Sequence, residues 1–227
     1  MPKRSLHEQI DSVLERDWAV KKITPAPPAS DAEFVRRAYL DLCGMIPSAA
    51  QTKEFLDDMS SDKHSRLIDR LLASPEHALA LARVLDVMLI ERRTHTVTSY
   101  DVAKAAWRNY LAASVAENKP WDQLVRELLS SDGTDEPRAA ATKFFISRDA
   151  APHQLTRDVG RLLLGVDLQC AQCHDDPRIE EYRQADYYGL YAFLSRTTFF
   201  RDGKANKSLI GETAVGDVTF TSVFTAK

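Results

Sequence analysis

The five residues CAQCH, Cys170 to His174, hold two of the chain's three cysteines and one of its six histidines. Two thiols three positions apart, followed at once by an imidazole, suit covalent attachment of a c-type haem. On a helical turn Cys170 and Cys173 lie on one side and can reach the two vinyl groups along one porphyrin edge. His174 can then turn its ring under the plane as the proximal iron ligand. Two other chemistries use the same residue types. A zinc site on Cys170, Cys173 and His174 needs a distant fourth ligand, and no second ligand pair at short spacing occurs. A dithiol–disulfide pair favours CxxC at a helix start, but the preceding GVDLQ does not read as the buried strand of a thioredoxin-like sheet. The plainest alternative is structural use of the cysteines with no cofactor.

A sixth iron ligand has three candidates. His153 opens the helix leading to the motif, His95 lies in the loop RRTHTVTSY, and Met88 sits among the apolar residues of ARVLDVMLI. Each has an ordinary role as well: a helix-end or solvent-facing imidazole for the histidines, core packing for the methionine. The choice matters, because two axial protein ligands favour electron transfer while an open position permits small-molecule binding or catalysis. Asp175 or Asp176 can orient the ring nitrogen of His174, or simply occupy a surface turn before Pro177. Arg178 and Arg183 can pair with propionates or remain solvated. Tyr182, Tyr187, Tyr188, Tyr191 and Phe193 can wall a planar cofactor or pack as core. Tyr187, Tyr191 and Ser195 share one helical face, while Tyr188 falls elsewhere.

The elements positioning these residues read as helices. Residues 5 to 20 form the first, with Ser5 and Glu8 as a capping box and Ile10, Leu14 and Trp18 recurring every four positions. The proline-rich ITPAPPAS, 23 to 30, is a stiff connector. Ser30 starts a second helix with Phe34, Ala38 and Leu42 on one face and Gly44 as its left-handed stop. Cys43, near that stop, reads as a buried thiol. Further helices open behind Pro47 and Ser48, at Asp62, and at Pro75, the last reaching about Arg92. Others span about Ser99 to Asn118 and 119 to 130. ATKFFI is too short to assign. A helix from about His153 to Leu164 carries Leu155, Val159 and Leu162 inward and delivers the chain through Gly165 to CAQCH. The last helix spans about Gln184 to Ser195. His7, His64 and His77 sit at helix starts as ordinary surface residues. After Arg201 the pattern changes: glycines at 211 and 216, then alternation through Val218, Phe220, Ser222 and Phe224, predict a small strand pair.

The fold expected is therefore mainly α: a multi-helix domain over 1–200 with the CxxCH-bearing segment, and a short β extension over 201–227 that packs on the same body or continues into further chain. A 227-residue chain buries roughly 70% of its unfolded surface, enough for a core without metal or disulfide staples. Thirty Lys and Arg against 33 Asp and Glu, with signs mixed, leave no basic stripe for nucleic acid. No run of eighteen apolar residues predicts a transmembrane helix. The start, MPKRSLHEQI, has no apolar signal segment, so a periplasmic or extracellular haem protein implies an export signal removed from this chain.

Two blocks carry a family resemblance. FVRRAYLDLCGMIPSAAQTKEFL, 34 to 56, continues through KHSRLIDRLLASPEH, 63 to 77; GRLLLGVDLQCAQCHDDP, 160 to 177, is followed by DYYGLYAFLSR, 186 to 196. With the IGETAVGDVTF tail, the chain resembles the planctomycete cytochrome-associated domain of unknown function, found in large exported proteins. The resemblance implies export, accompanying cytochrome-like or carbohydrate-binding modules, and Cys170, Cys173 and His174 as haem-attachment residues. Many relatives read CHDHP or CHDHK where this chain has CHDDP, so Asp176 stands in place of a second histidine. The expected function is extracytoplasmic electron transfer by a covalent haem c on His174, with a redox partner or neighbouring modules of the same protein. A haem oxidoreductase with an open iron face is the second expectation. A noncatalytic structural or interaction module with zinc or a disulfide at the motif is the third.

Overall fold

The computed structural model describes residues 5–91, 104–136, 138–202, 207–214 and 218–220. The helices begin where side chains can satisfy their first backbone donors. Ser30 Oγ accepts from Glu33 N at 3.3 Å and starts α2 (Asp31–Cys43). Ser48 and Gln51 exchange bonds of 3.2 and 2.8 Å at the start of α3 (Ala49–Asp57). Ser74 Oγ accepts from His77 N ahead of α5 (Pro75–Ile90). Between them lies α4 (Lys63–Leu72), burying Leu67 and Leu71 one turn apart. Gly44 ends α2 at φ 67°, as its sequence position predicts.

The apolar faces of α2, α3 and α4 meet in a small core. Its buried α2 residues are Val35, Tyr39 and Cys43, while Phe34, Ala38 and Leu42 only flank it. The expected face is thus displaced by one residue. Both sets repeat every four positions, and Val35, Tyr39 and Cys43 are the ones that cluster with Phe55 of α3 and Leu67 and Leu71 of α4. Cys43 is buried as expected, its Sγ 3.7 Å from Ser74 Oγ. The surface histidines make local contacts: His64 Nε2 lies 3.0 Å from Asp31, and His77 Nδ1 donates to Leu42 O at 2.8 Å.

The first helix, α1 (Leu6–Lys21), forms with Glu8 accepting from Ser5 N at 2.8 Å, but none of its residues is buried. Its stripe of Ile10 and Leu14 faces outward. Local capping and propensity suffice to wind a helix; they do not supply a neighbour.

The main core lies between α5, α6 (Lys104–Ala116), α7 (Trp121–Ser130), α8 (Lys143–Ile146) and α9 (Pro152–Asp158). The stretch left unassigned from sequence is central to it. A 3-10 turn, Ala139–Thr142, leads into α8, whose four residues are all buried. After α8 comes Arg148, only 1% exposed. Its guanidinium donates to Asp158 Oδ2 at 2.7 Å, Leu89 O at 2.7 Å and Phe144 O at 2.9 Å, and stacks over the Phe144 ring. One side chain thereby ties α5, α8 and α9 together.

The last helix, α10 (Gln184–Leu194), leads to an antiparallel pair, β1 (Thr197–Asp202) and β2 (Lys207–Glu212), in register from Thr197 opposite Glu212. The strand pair expected after Arg201 exists but starts earlier, with β1 running across residue 200. Residues 218–220 carry no strand, and the rest of the alternation to Phe224 lies outside the described residues. The pair docks on the helical body: Ile210 N donates to Asp132 O at 2.9 Å, and Ile210 packs against the main core. Among the described residues no helix is long and apolar enough to cross a membrane.

Two predictions concern buried charge. Arg148→Met leaves the Asp158 carboxylate buried without its main partner and should lower the unfolding free energy by about 3–5 kcal/mol in a urea titration; an unchanged midpoint would contradict the anchoring role. Glu127, buried on α7, accepts from Tyr110 Oη at 2.8 Å and Lys119 Nζ at 2.7 Å. Burial pushes its carboxyl up, but the bonds from Lys119 and Tyr110 outweigh it and hold the group below the usual glutamate range. A carboxyl lowered on folding adds stability that is complete above its unfolded value and is lost as pH falls through the folded one. Glu127→Gln should cost about 1–2 kcal/mol at neutral pH. Variant and parent stabilities should converge as the solution is acidified.

Candidate functional site

The chain reaches the motif through an irregular helix end. α9 runs directly into a π-wound segment, Val159–Leu164, closed by Gly165 at φ 72°. Such segments are rare and concentrate at functional sites. The wider turn alters the expected inward face: Leu155 and Val159 are buried as predicted, but Leu163 takes the third buried place and Leu162 flanks it. Behind Gly165 the chain doubles back, and Val166 N donates to Gly160 O at 2.9 Å. A Cβ on Gly160 would stand 2.8 Å from Val166 O, so only glycine permits this return.

The returning chain places Leu168 and Ala171 in a small cluster with Tyr187 of α10. Cys170–Gln172 form a single 3-10 turn, with Cys173 N and His174 N both donating to Cys170 O, at 3.1 and 3.2 Å. Residues three apart eclipse one another in 3-10 geometry. Cys170 and Cys173 therefore stand on the same side of the turn. Both are free and exposed, while Ala171 between them is fully buried.

His174 is also exposed, and its orientation is fixed locally. Its Nδ1 donates to the main-chain oxygen of Asp175 at 2.7 Å, leaving Nε2 as the nitrogen available to a metal. The carboxylates expected to orient the ring do other work. Asp175 Oδ1 accepts from Gln184 N at 2.7 Å at the start of α10, where negative charge is favoured. Asp176 Oδ1 accepts from Arg178 N and Ile179 N, closing the following turn. Orientation of His174 thus comes from backbone, a possibility residue types could not signal.

Residue type alone does not single out Gln184 beyond its place at a helix start. It is buried, its Nε2 donates to Cys173 O at 3.0 Å, and its Oε1 has no hydrogen-bond partner. Through its backbone and side chain α10 grips the motif at Asp175 and Cys173. An orphaned buried acceptor invites an ordered donor such as water.

The other expected residues divide. His153 lies beside Tyr187 and Tyr191: Nδ1 is 2.8 Å from Tyr187 Oη, and the ring stacks on Tyr191 with centroids 4.5 Å apart. Met88 packs against the main core, and His95 lies outside the described residues. Tyr182, Tyr188 and Tyr191 pack around the buried Tyr187, with Tyr188 stacked on Phe220 at 4.5 Å. Phe193 does not join them; it is 84% exposed. Arg183 Nε donates to Glu180 O, and Arg178 is exposed. Nearer the motif, Arg157 and Arg161 line a polar cleft of about 260 Å³ bordered by Gln169, the residue before Cys170. Among the described residues no three His, Cys, Asp or Glu side chains converge to cage a metal ion.

The turn offers two accessible thiols, an imidazole with Nε2 available and aromatic rings behind, residue types that a covalently held porphyrin uses. The support can be tested without any cofactor. Gly160→Ala forces a methyl against a main-chain oxygen and should destabilise the protein by about 1–3 kcal/mol. Hydrogen exchange should quicken at Val166, Cys173 and His174; unchanged exchange there would separate the return of the chain from the shape of the turn.

No curated protein and no solved structure matches the chain. A family model named PSCyt2, described as a protein of unknown function (DUF1549), matches residues 9–199. That span runs from within α1 into β1 and includes the CAQCH turn, so the chain belongs to this family of unknown function.

Proposed function

We propose that the protein is a c-type haem protein serving electron transfer outside the cytoplasm, with the porphyrin attached through Cys170 and Cys173 and His174 as the proximal ligand. The observation carrying this reading is the CAQCH turn itself, which exposes both thiols on one side and keeps Ala171 inside. A bound haem supplies one-electron redox chemistry. The chain's part is to hold and tune it. The Nδ1–H bond to Asp175 O selects the tautomer of His174 and raises the basicity of Nε2. Gln184 steadies the carbonyl of Cys173. Arg157 lies in the cleft beside the turn, where a carboxylate of a porphyrin edge can pair with it. The resemblance to planctomycete cytochrome-associated domains supports an exported protein, with an extracytoplasmic redox partner or further modules of the same polypeptide receiving the electron.

Production in a host that attaches haem should yield red protein that gains about 0.6 kDa, the mass of one haem, and keeps its colour through denaturation. Replacing Cys170 and Cys173 together by Ala should abolish that retention while leaving the fold intact. Colourless parent protein carrying stoichiometric zinc would sink the haem reading in favour of a metal-site module. Carbon monoxide binding to the reduced form would turn it toward an open, enzyme-like iron.

A further inference from the structure

The cleft bordered by Gln169 is lined by charged and amide side chains alone. Clefts for drug-sized ligands are mostly apolar and hold roughly 300–1,000 Å³. At about 260 Å³ and with no apolar wall, this one suits a small, polar molecule. Its walls come from the end of α5, from α9 with the π-wound segment, and from the chain returning to the motif. Glu91, at the α5 end, stands at φ 54°, a left-handed conformation that concentrates at ligand sites when a side chain is present.

The charges in the cleft divide into paired and unpaired. Arg161 holds Glu91 at 2.5 Å and Asp158 Oδ1 at 3.3 Å, and the buried Arg148 takes Asp158 Oδ2 at 2.7 Å. Among the described residues neither Arg157 nor Asp167 enters an ion pair, with each other or with any third group. Arg157 is half-buried and Asp167 exposed. Asp167 Oδ1 accepts from Gln169 N at 3.1 Å, so its second oxygen is the one open to a ligand. One cation and one anion thus line the same small cleft without meeting.

We infer that this cleft binds a small polar α-amino acid as its zwitterion, with Arg157 taking the carboxylate and Asp167 the ammonium group. A guanidinium presents paired N–H donors that match a carboxylate, and a carboxylate oxygen accepts strongly from an ammonium N–H. A plain anion on Arg157 would face Asp167 as like charge. A plain cation on Asp167 would face Arg157 in the same way. A ligand carrying both signs satisfies both residues at once. Gln154 and Gln169 add amide donors and acceptors for a hydroxyl or amide side chain. The inference stands independently of the haem reading, except that a porphyrin carboxylate and the amino acid would compete for Arg157.

The test uses the full chain made in a host without haem attachment, its thiols kept reduced. Serine is the probe, titrated while nuclear magnetic resonance follows the Arg157 Nε–H and the main-chain amides of Gln169 and Cys170. Saturable shifts at all three should appear in the millimolar range. Acetate and methylammonium each carry one half of the zwitterion and should bind at least about tenfold more weakly, the loss of one charge-assisted bond. Arg157→Gln and Asp167→Asn should each weaken serine binding by about tenfold on the same ground. Neither position belongs to a core cluster, and asparagine keeps an acceptor for Gln169 N, so unchanged amide signals elsewhere confirm the fold of both variants. No saturable shift with serine, acetate binding as tight as serine, or full serine binding in either variant would overturn the site. Pigment retention reports separately on the haem reading, so failure of one leaves the other standing.

Discussion

Arg148 brings a full positive charge into the protein interior, and the surrounding chain is arranged to make that tolerable. Its guanidinium has a carboxylate, two main-chain oxygens and an aromatic face as partners. Those partners lie on α5, α8 and α9, elements far apart in sequence. A buried ion with one partner missing costs several kcal/mol, so the three elements are held in one mutual arrangement more strictly than apolar contact alone demands. Everything leading to the motif follows from α9: its π-wound continuation, the reversal at Gly165 and the thiol-bearing turn. Even Asp158, last residue of α9, is shared between Arg148 and Arg161.

The site combines a rigid base with an accessible outer edge. On the inner side, Ala171, Leu168 and Tyr187 are buried and α10 clasps the main chain at Cys173 and Asp175. On the outer side, Cys170, Cys173 and His174 are exposed. Reactive groups that must meet a large, flat partner need this division. Their positions are set by backbone bonds from behind, so their tips need no side-chain contacts that an incoming group would first have to displace.

Local features of the fold are legible in the sequence, whereas features that depend on distant contacts are not. Ser30 and Ser48 mark helix starts because a cap involves residues three positions apart. Gly44 marks a stop for the same reason. By contrast, which of two four-residue repeats in α2 turns inward depends on what α3 and α4 present, and Val35, Tyr39 and Cys43 displaced the expected set. KFFI carries no periodicity over four residues, and its place in the core comes from Arg148, whose partners lie up to 59 positions away. The cysteines and His174 were legible from spacing. Gln184 and the His153–Tyr187 contact were not, because each depends on α10 folding back across the turn; nor was the Asp175 carbonyl, because a main-chain acceptor leaves no mark in residue type.

The burial of Ala171 makes the two middle letters of CAQCH unequal. Position 171 is fully buried in one cluster with Leu168 and Tyr187, while Gln172 is half-exposed. A library randomised at both positions should yield stably folded sequences with small residues at 171 and almost any residue at 172. What looks like a motif with two interchangeable spacers is, in this fold, a motif of four specified positions and one open one.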